Sequence, residues 1–137
     1  MTTNQKTRYF YLRNPQNRSI AACFAYRFTV GLKGGGTVQY AVATIHPGDQ
    51  MTRELGRTIA TGRLNKVGGR TIPLANEQRP VDALLIDVAS FHRNLQETDV
   101  VDPVQELRKY DQLLQTMHLS RHVCDLAYVA VSSPPVA

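Results

Sequence analysis

The stretch HPGDQMTRELGRTIATGRLNK, His46–Lys66, decides how the rest of the chain is read. Pro47-Gly48 makes a turn at a strand end, and a helix is expected over Asp49–Lys66, with the Asp49 carboxylate accepting the first free backbone N–H groups. Met51, Leu55 and Ile59 recur at i, i+4 and i+8 and give that helix one apolar stripe. Arg53 and Arg57 stand one turn apart on a neighbouring stripe, and Arg63 follows nearer the C-terminal end. Gly56, Ala60 and Gly62 are small where a helix normally carries larger residues. A glycine in a helix interior costs ~1 kcal/mol relative to alanine. Small residues beside three arginines point to a close approach by something negatively charged. A solvated basic face on a packing helix explains the same pattern, and both readings stay open.

Working back toward the N-terminus, Arg8–Arg13 (RYFYLR) reads as a short aromatic strand stopped by Asn14-Pro15. Ile20–Val30 and Thr37–Ile45 flank a glycine-rich turn and form the clearest hairpin in the chain. Ala22, Phe24, Tyr26, Phe28 and Val30 share one face with Val38, Tyr40 and Val42 of the partner strand. The other face is small (Ala21, Cys23, Ala25, Ala41, Ala43) and carries Arg27, which either binds an anion or snorkels to the sheet edge. Gly34-Gly35-Gly36 joins two strands and opens no helix, so it is a turn and not a phosphate-binding loop.

Toward the C-terminus, Thr71–Leu74 fits a short edge strand, because Pro73 cannot donate within a central ladder. Pro80 opens a helix whose stripe runs Val81, Leu84, Leu85, Val88, Phe91, His92 and Leu95. Asp102-Pro103 opens another, and the short link between them predicts an antiparallel helical hairpin. Residues 119–131 fit either period, with the valine-rich end favouring a final strand. The expected fold class is α+β: a small antiparallel sheet with a short Arg-rich helix and a C-terminal antiparallel helical hairpin, in one domain over 1–137 with loose ends at 1–7 and 132–137.

The net charge of +5 conceals an asymmetry. Residues 1–75 carry eleven Lys/Arg against two carboxylates, a net +9, while 76–137 carry five against nine, a net −4. A basic half predicts an anionic partner, whether nucleic acid, nucleotide or phosphate. The opposite halves also permit electrostatic pairing between copies. Cys23 and Cys124 lie in apolar surroundings and are expected to be reduced and packed. His118, His122 and Cys124 are too few for a convincing metal site, and no cofactor is implied. No apolar run reaches the ~20 residues of a membrane span, and MTTNQKTRY lacks the apolar core of a signal peptide, so a cytosolic protein without membrane contact is expected. With paired carboxylates absent from the basic half, an enzyme is the less favoured class. Phe91 and His92 on the first long helix, and Arg121 at the end of the second, complete the candidate site residues Arg27, Arg53, Arg57 and Arg63. Phe91 or an aromatic of the sheet would stack on a base, and plain packing is the competing role of Phe91.

The run from His46 to Arg63 has the form P-x-D-x-(hydrophobic)-x-R-x-x-GR-x-I-A-x-GR, follows a strand pair and precedes two long helices. In this it resembles the first family of phage-encoded Thoeris anti-defence proteins, small sponges that sequester cyclic nucleotide immune signals. The resemblance spans roughly residues 20–122 in outline and is specific only over the central helix. It implies a non-enzymatic protein of the host cytoplasm that binds cyclic ADP-ribose isomers, with cyclic oligonucleotides of the CBASS type as a further ligand class. It also implies a homo-oligomer (dimer or hexamer) whose sites lie between protomers and use arginines and aromatics. The rival from the residues alone is a small nucleic-acid-binding accessory protein using the basic N-terminal half. A third is an inhibitor that docks on a host protein through its arginines.

Overall fold

The computed structural model describes residues 6–44, 52–67, 69–97 and 103–132. The alternating N-terminal segments form strands β1 (Arg8–Arg13), β2 (Ile20–Val30) and β3 (Gly36–Thr44). With β4 (Arg70–Leu74) they make a four-stranded antiparallel sheet in the order β1-β2-β3-β4. Phe24 pairs with Val42 and Tyr26 with Tyr40, which gathers the bulky side chains of neighbouring strands on one face. Pro73 lies on the edge strand β4, as its missing N–H requires. β4 begins at Arg70, opposite Tyr40, so the outer side of β3 beyond Tyr40 has no strand partner among the described residues. The chain enters β4 through Gly69 at φ +64, where a Cβ would lie 2.4 Å from the Tyr40 carbonyl oxygen; only glycine fits.

The bulky face is covered by helices α2 (Pro80–Glu97) and α4 (Arg121–Ser132), with Leu114 of α3 (Pro103–Met117) joining the same core. Leu84, Leu85, Val88 and Phe91 are buried, in line with the periodic stripe of α2. The C-terminal segment is a helix and not the strand that its valines favoured. Ser120 starts it, its Oγ accepting the Val123 N–H at 3.2 Å, and Val123, Cys124 and Ala127 turn inward. Val129 and Val131 stay exposed, so β-propensity at that end meets no sheet to join.

Helix α1 (Arg53–Val67) covers the small face, which makes the fold a sheet between two helical layers. Ala60 and Leu64 pack with Cys23, Ala25, Ala41 and Ala43. The expected phase of α1 is corrected here. Leu55 is 48% exposed; Ile59 is half-buried and packs against the inner cluster, but the buried stripe is Gly56, Ala60, Leu64, one residue further on. A floor of alanines leaves room for a helix backbone to approach, so the small residues face the sheet and a leucine does not. What approaches Ala60 is the chain's own floor. A Cβ at Gly62 would meet nothing within 4 Å, so no close approach occurs there. Asp49 and Met51 lie outside the described residues; Thr52 caps the helix, its Oγ1 accepting the Leu55 N–H at 3.1 Å.

Two substitutions separate these roles in denaturant unfolding. Ala60→Leu should lose ~1–3 kcal/mol by overpacking the α1–sheet layer. Gly62→Ala, in open space, should gain up to ~1 kcal/mol. Equal effects at the two positions would contradict the assigned phase.

Candidate functional site

Tyr9 and Tyr11 alternate with Phe10 and Leu12 along β1, so their rings fall on the α1 side of the sheet while Phe10 and Leu12 enter the opposite core. Helix α1 lies over β2 and β3, and one row of its side chains reaches Tyr9 and Tyr11 in the order opposite to the run of β1. Arg57 lies over both rings, 5.0 Å from the Tyr9 centroid and 5.7 Å from that of Tyr11, and its Nε donates to the Tyr11 hydroxyl. Arg53, one turn earlier, stands 5.7 Å over Tyr11. One turn later the Thr61 Oγ1 and the Tyr9 hydroxyl share a hydrogen bond of 2.7 Å. At the far end of the row Arg27 donates from Nε to Thr7 Oγ1 at 2.9 Å and from Nη2 to Asn65 Oδ1. The result is a ladder of Arg53, Tyr11, Arg57, Tyr9 and Thr61 along the sheet edge, continued by Asn65 and Arg27.

Its electrostatics are one-sided. Among the described residues, neither Arg53 nor Arg57 forms an ion pair with a carboxylate, and both are exposed. The other ion pairs take up arginines elsewhere: Arg70 with Asp87, Arg79 with Asp82 and Arg121 with Asp111. Tyr11 occupies only the Nε of Arg57, which leaves its Nη groups without a partner among the described residues. Those groups form the fork that matches a phosphate or carboxylate. At an exposed site a cation over an aromatic face gains ~0.5–1 kcal/mol, which biases the side chain toward this geometry before any ligand arrives.

The arginines expected to act together are divided by the fold. Arg53 and Arg57 share the ladder, and Arg27 ends it. Arg63 points the other way, its Nη1 donating at 2.8 Å to the Val42 carbonyl, on the part of β3 that β4 does not reach. Phe91 is 2% exposed and lies beneath Arg70, 5.3 Å from the guanidinium carbon, so it packs and presents no face to a base. Arg121 sits at the start of α4 beside Asp111, away from α1. The His92 side chain lies outside the described residues. A sheet aromatic was open as a stacking group without Tyr9 or Tyr11 being singled out, although the alternation of RYFYLR already places them on the face opposite Phe10 and Leu12.

Two buried groups adjoin these elements. The Tyr40 hydroxyl donates to Asp87 at 2.6 Å, and Arg70 grips the same carboxylate at 2.6 and 3.0 Å, tying β3 and β4 to α2. Burial, then the Asp87 charge and hydrogen bond, push the Tyr40 pKa far up. Burial likewise pushes the Cys23 thiol up to about 11, and the nearby Arg57 charge pulls it partly back. Below pH 9.0 the thiol is neutral in both folded and unfolded chains; above it the unfolded chain ionises first, so Cys23 withdraws stability as pH rises from 9.0 to about 11. Tyr40 adds to the loss above pH 10.0. Chemical unfolding at pH 8 and pH 10.5 should show this fall, and Cys23→Ala should make it shallower. An identical fall in the variant would contradict the assignment.

No protein-family model, curated protein or solved structure matches this chain.

Proposed function

We propose that this chain is a non-enzymatic binder that sequesters a cyclic nucleotide immune signal, a cyclic ADP-ribose isomer or a cyclic oligonucleotide, in the host cytoplasm. The observation that carries the reading is Arg57: a guanidinium held by Tyr11, flanked by two tyrosine rings, with its outer N–H groups uncommitted and no carboxylate paired to it among the described residues. Arg57 and Arg53 take phosphate, and Tyr9 or Tyr11 offers a face to a base, as stacking sites for nucleotides commonly do. Arg27, held by Thr7 and Asn65, supplies charge at the other end of the ligand. The groups around Arg57 are tyrosine rings, hydroxyls and a thiol pushed up to about 11, which suits holding more than proton transfer. Resemblance of the central helix to the Thoeris anti-defence sponges supplies the class of ligand.

Among the described residues the ladder is open on its outer side, along the edge strand β1. Slow release then calls for a cover, and a second copy of the chain is the proposed one, giving a homo-oligomer with ligand between protomers. Among the described residues no helix is long and apolar enough to cross a membrane, and the proposal needs no membrane.

A second reading has its own observation. The row from Arg53 to Arg27 is linear, and a single-stranded nucleic acid could track it with bases on the tyrosines. Salt separates the two. Strand binding should weaken steeply, with a slope near −0.7 per neutralised phosphate, whereas an enclosed cyclic nucleotide should respond far less.

Calorimetry against a panel of cyclic ADP-ribose isomers, cyclic oligonucleotides and a single-stranded oligonucleotide tests both readings. Arg57→Ala should weaken binding of the responding ligand at least ~10-fold, the consequence of losing hydrogen bonds to a charged group worth ~1.5–3 kcal/mol each. Its melting temperature should stay close to wild type, because the side chain is exposed. Unchanged affinity in that variant would place the site elsewhere.

A further inference from the structure

Arg63, the arginine of α1 that leaves the ladder, lines a separate cavity of about 80 Å³. The cavity lies where β4 has ended and β3 continues, between Val42 and Gly69 on one side and Met117 and His118 at the end of α3 on the other. The Arg63 guanidinium is fixed by its bond to the Val42 carbonyl, and its remaining N–H groups have no partner among the described residues. Burial lowers its pKa, as it does for a charge facing an apolar wall without a counterion.

His118 supplies the second observation. It closes α3 at φ 57, the left-handed position that helix ends usually give to glycine. The backbone there is firmly held: His118 N–H donates to Gln115 O at 3.1 Å, Leu119 N–H to Leu114 O at 2.8 Å, and Thr44 Oγ1 to the His118 carbonyl at 3.2 Å. The imidazole makes no hydrogen bond among the described residues. Its pKa is lowered, first by burial and then by the Arg63 charge. A left-handed backbone position thus carries an exposed imidazole, kept toward its neutral form by partial burial and the Arg63 charge, at a small cavity with no carboxylate among the lining residues. An anion between the two would accept from the remaining Arg63 N–H groups and favour the protonated imidazole as a second donor.

We infer that this cavity is a binding site for a single phosphate group, held between Arg63 and His118 and independent of the Arg57 ladder. The volume suits one tetrahedral oxyanion and falls well short of the ~300–1,000 Å³ of sites that enclose larger ligands. Inorganic phosphate and the terminal phosphate of a nucleotide share the required chemistry.

The test follows the His118 ring by NMR through pH titrations in inorganic phosphate, in adenosine monophosphate and in chloride at equal ionic strength. Phosphate should raise the His118 pKa by about one unit, the size of effect an adjacent opposite charge brings. Arg57→Ala, which disables the ladder, should keep the rise, and Arg63→Gln should abolish it. A response to inorganic phosphate assigns the site to the free ion, and a response to the nucleotide alone assigns it to an esterified phosphate. His118→Gly relieves the backbone strain, so it should melt higher than wild type yet lose the phosphate-induced rise in melting temperature. A His118 pKa that is the same in all three solutions, or a glycine variant that keeps the full phosphate stabilisation, would overturn the inference.

Discussion

Helix α1 can lie where it does because the sheet beneath it is paved with Cys23, Ala25, Ala41 and Ala43. Large side chains on that floor would lift the helix and turn its apolar residues downward. With a small floor the helix backbone itself comes down, and Gly56, Ala60 and Leu64 become its inner stripe. Everything distinctive about the surface follows from this phase. It puts Leu55 outside, brings Arg53, Arg57 and Thr61 to the rim above β1, and sends Arg63 to the opposite rim at β3. Helical geometry then divides a run of arginines that looks uniform in the sequence between the two rims.

The charge asymmetry gains a structural meaning from the same arrangement. Three carboxylates of the C-terminal half are engaged within the chain: Asp82 and Asp111 pair with arginines of their own half, and Asp87 takes Arg70 of the basic half together with the buried Tyr40 hydroxyl. That last group locks β3 and β4 to α2, and Arg70 lies over Phe91 in doing so. Arg53 and Arg57 are left facing solvent with tyrosines as their neighbours. Tyrosine orients a guanidinium without neutralising it, so the surface keeps its attraction for anions while its geometry is set in advance.

Sequence reasoning reached the fold class, the hairpin, the two unlike faces of the sheet and the start of α2 at Pro80, because period-2 alternation and proline position are local signals. It misplaced the inward stripe of α1, since hydrophobicity was weighed above size and the partner floor is small. It favoured a strand at the C-terminus because valines there outweighed the cap at Ser120, whose value shows only once α2 offers a surface to pack on. That Arg53 and Arg57 share one face of α1 was legible from their one-turn spacing. Phe91 is a core residue, and the aromatic rings that meet the arginines of α1 are those of Tyr9 and Tyr11. Which arginine meets which tyrosine depends on the direction of α1 across the sheet, and no single-strand pattern encodes that.

The central claim is that the chain holds a cyclic nucleotide and returns it unchanged. The most direct measurement is mass spectrometry of the small molecules that heat releases from the purified protein after incubation with cyclic nucleotides. The account predicts intact cyclic ligand, recovered in proportion to protein and strongly reduced for Arg57→Ala. Recovery of a linear, hydrolysed product, or of no ligand from any cyclic nucleotide, would contradict it.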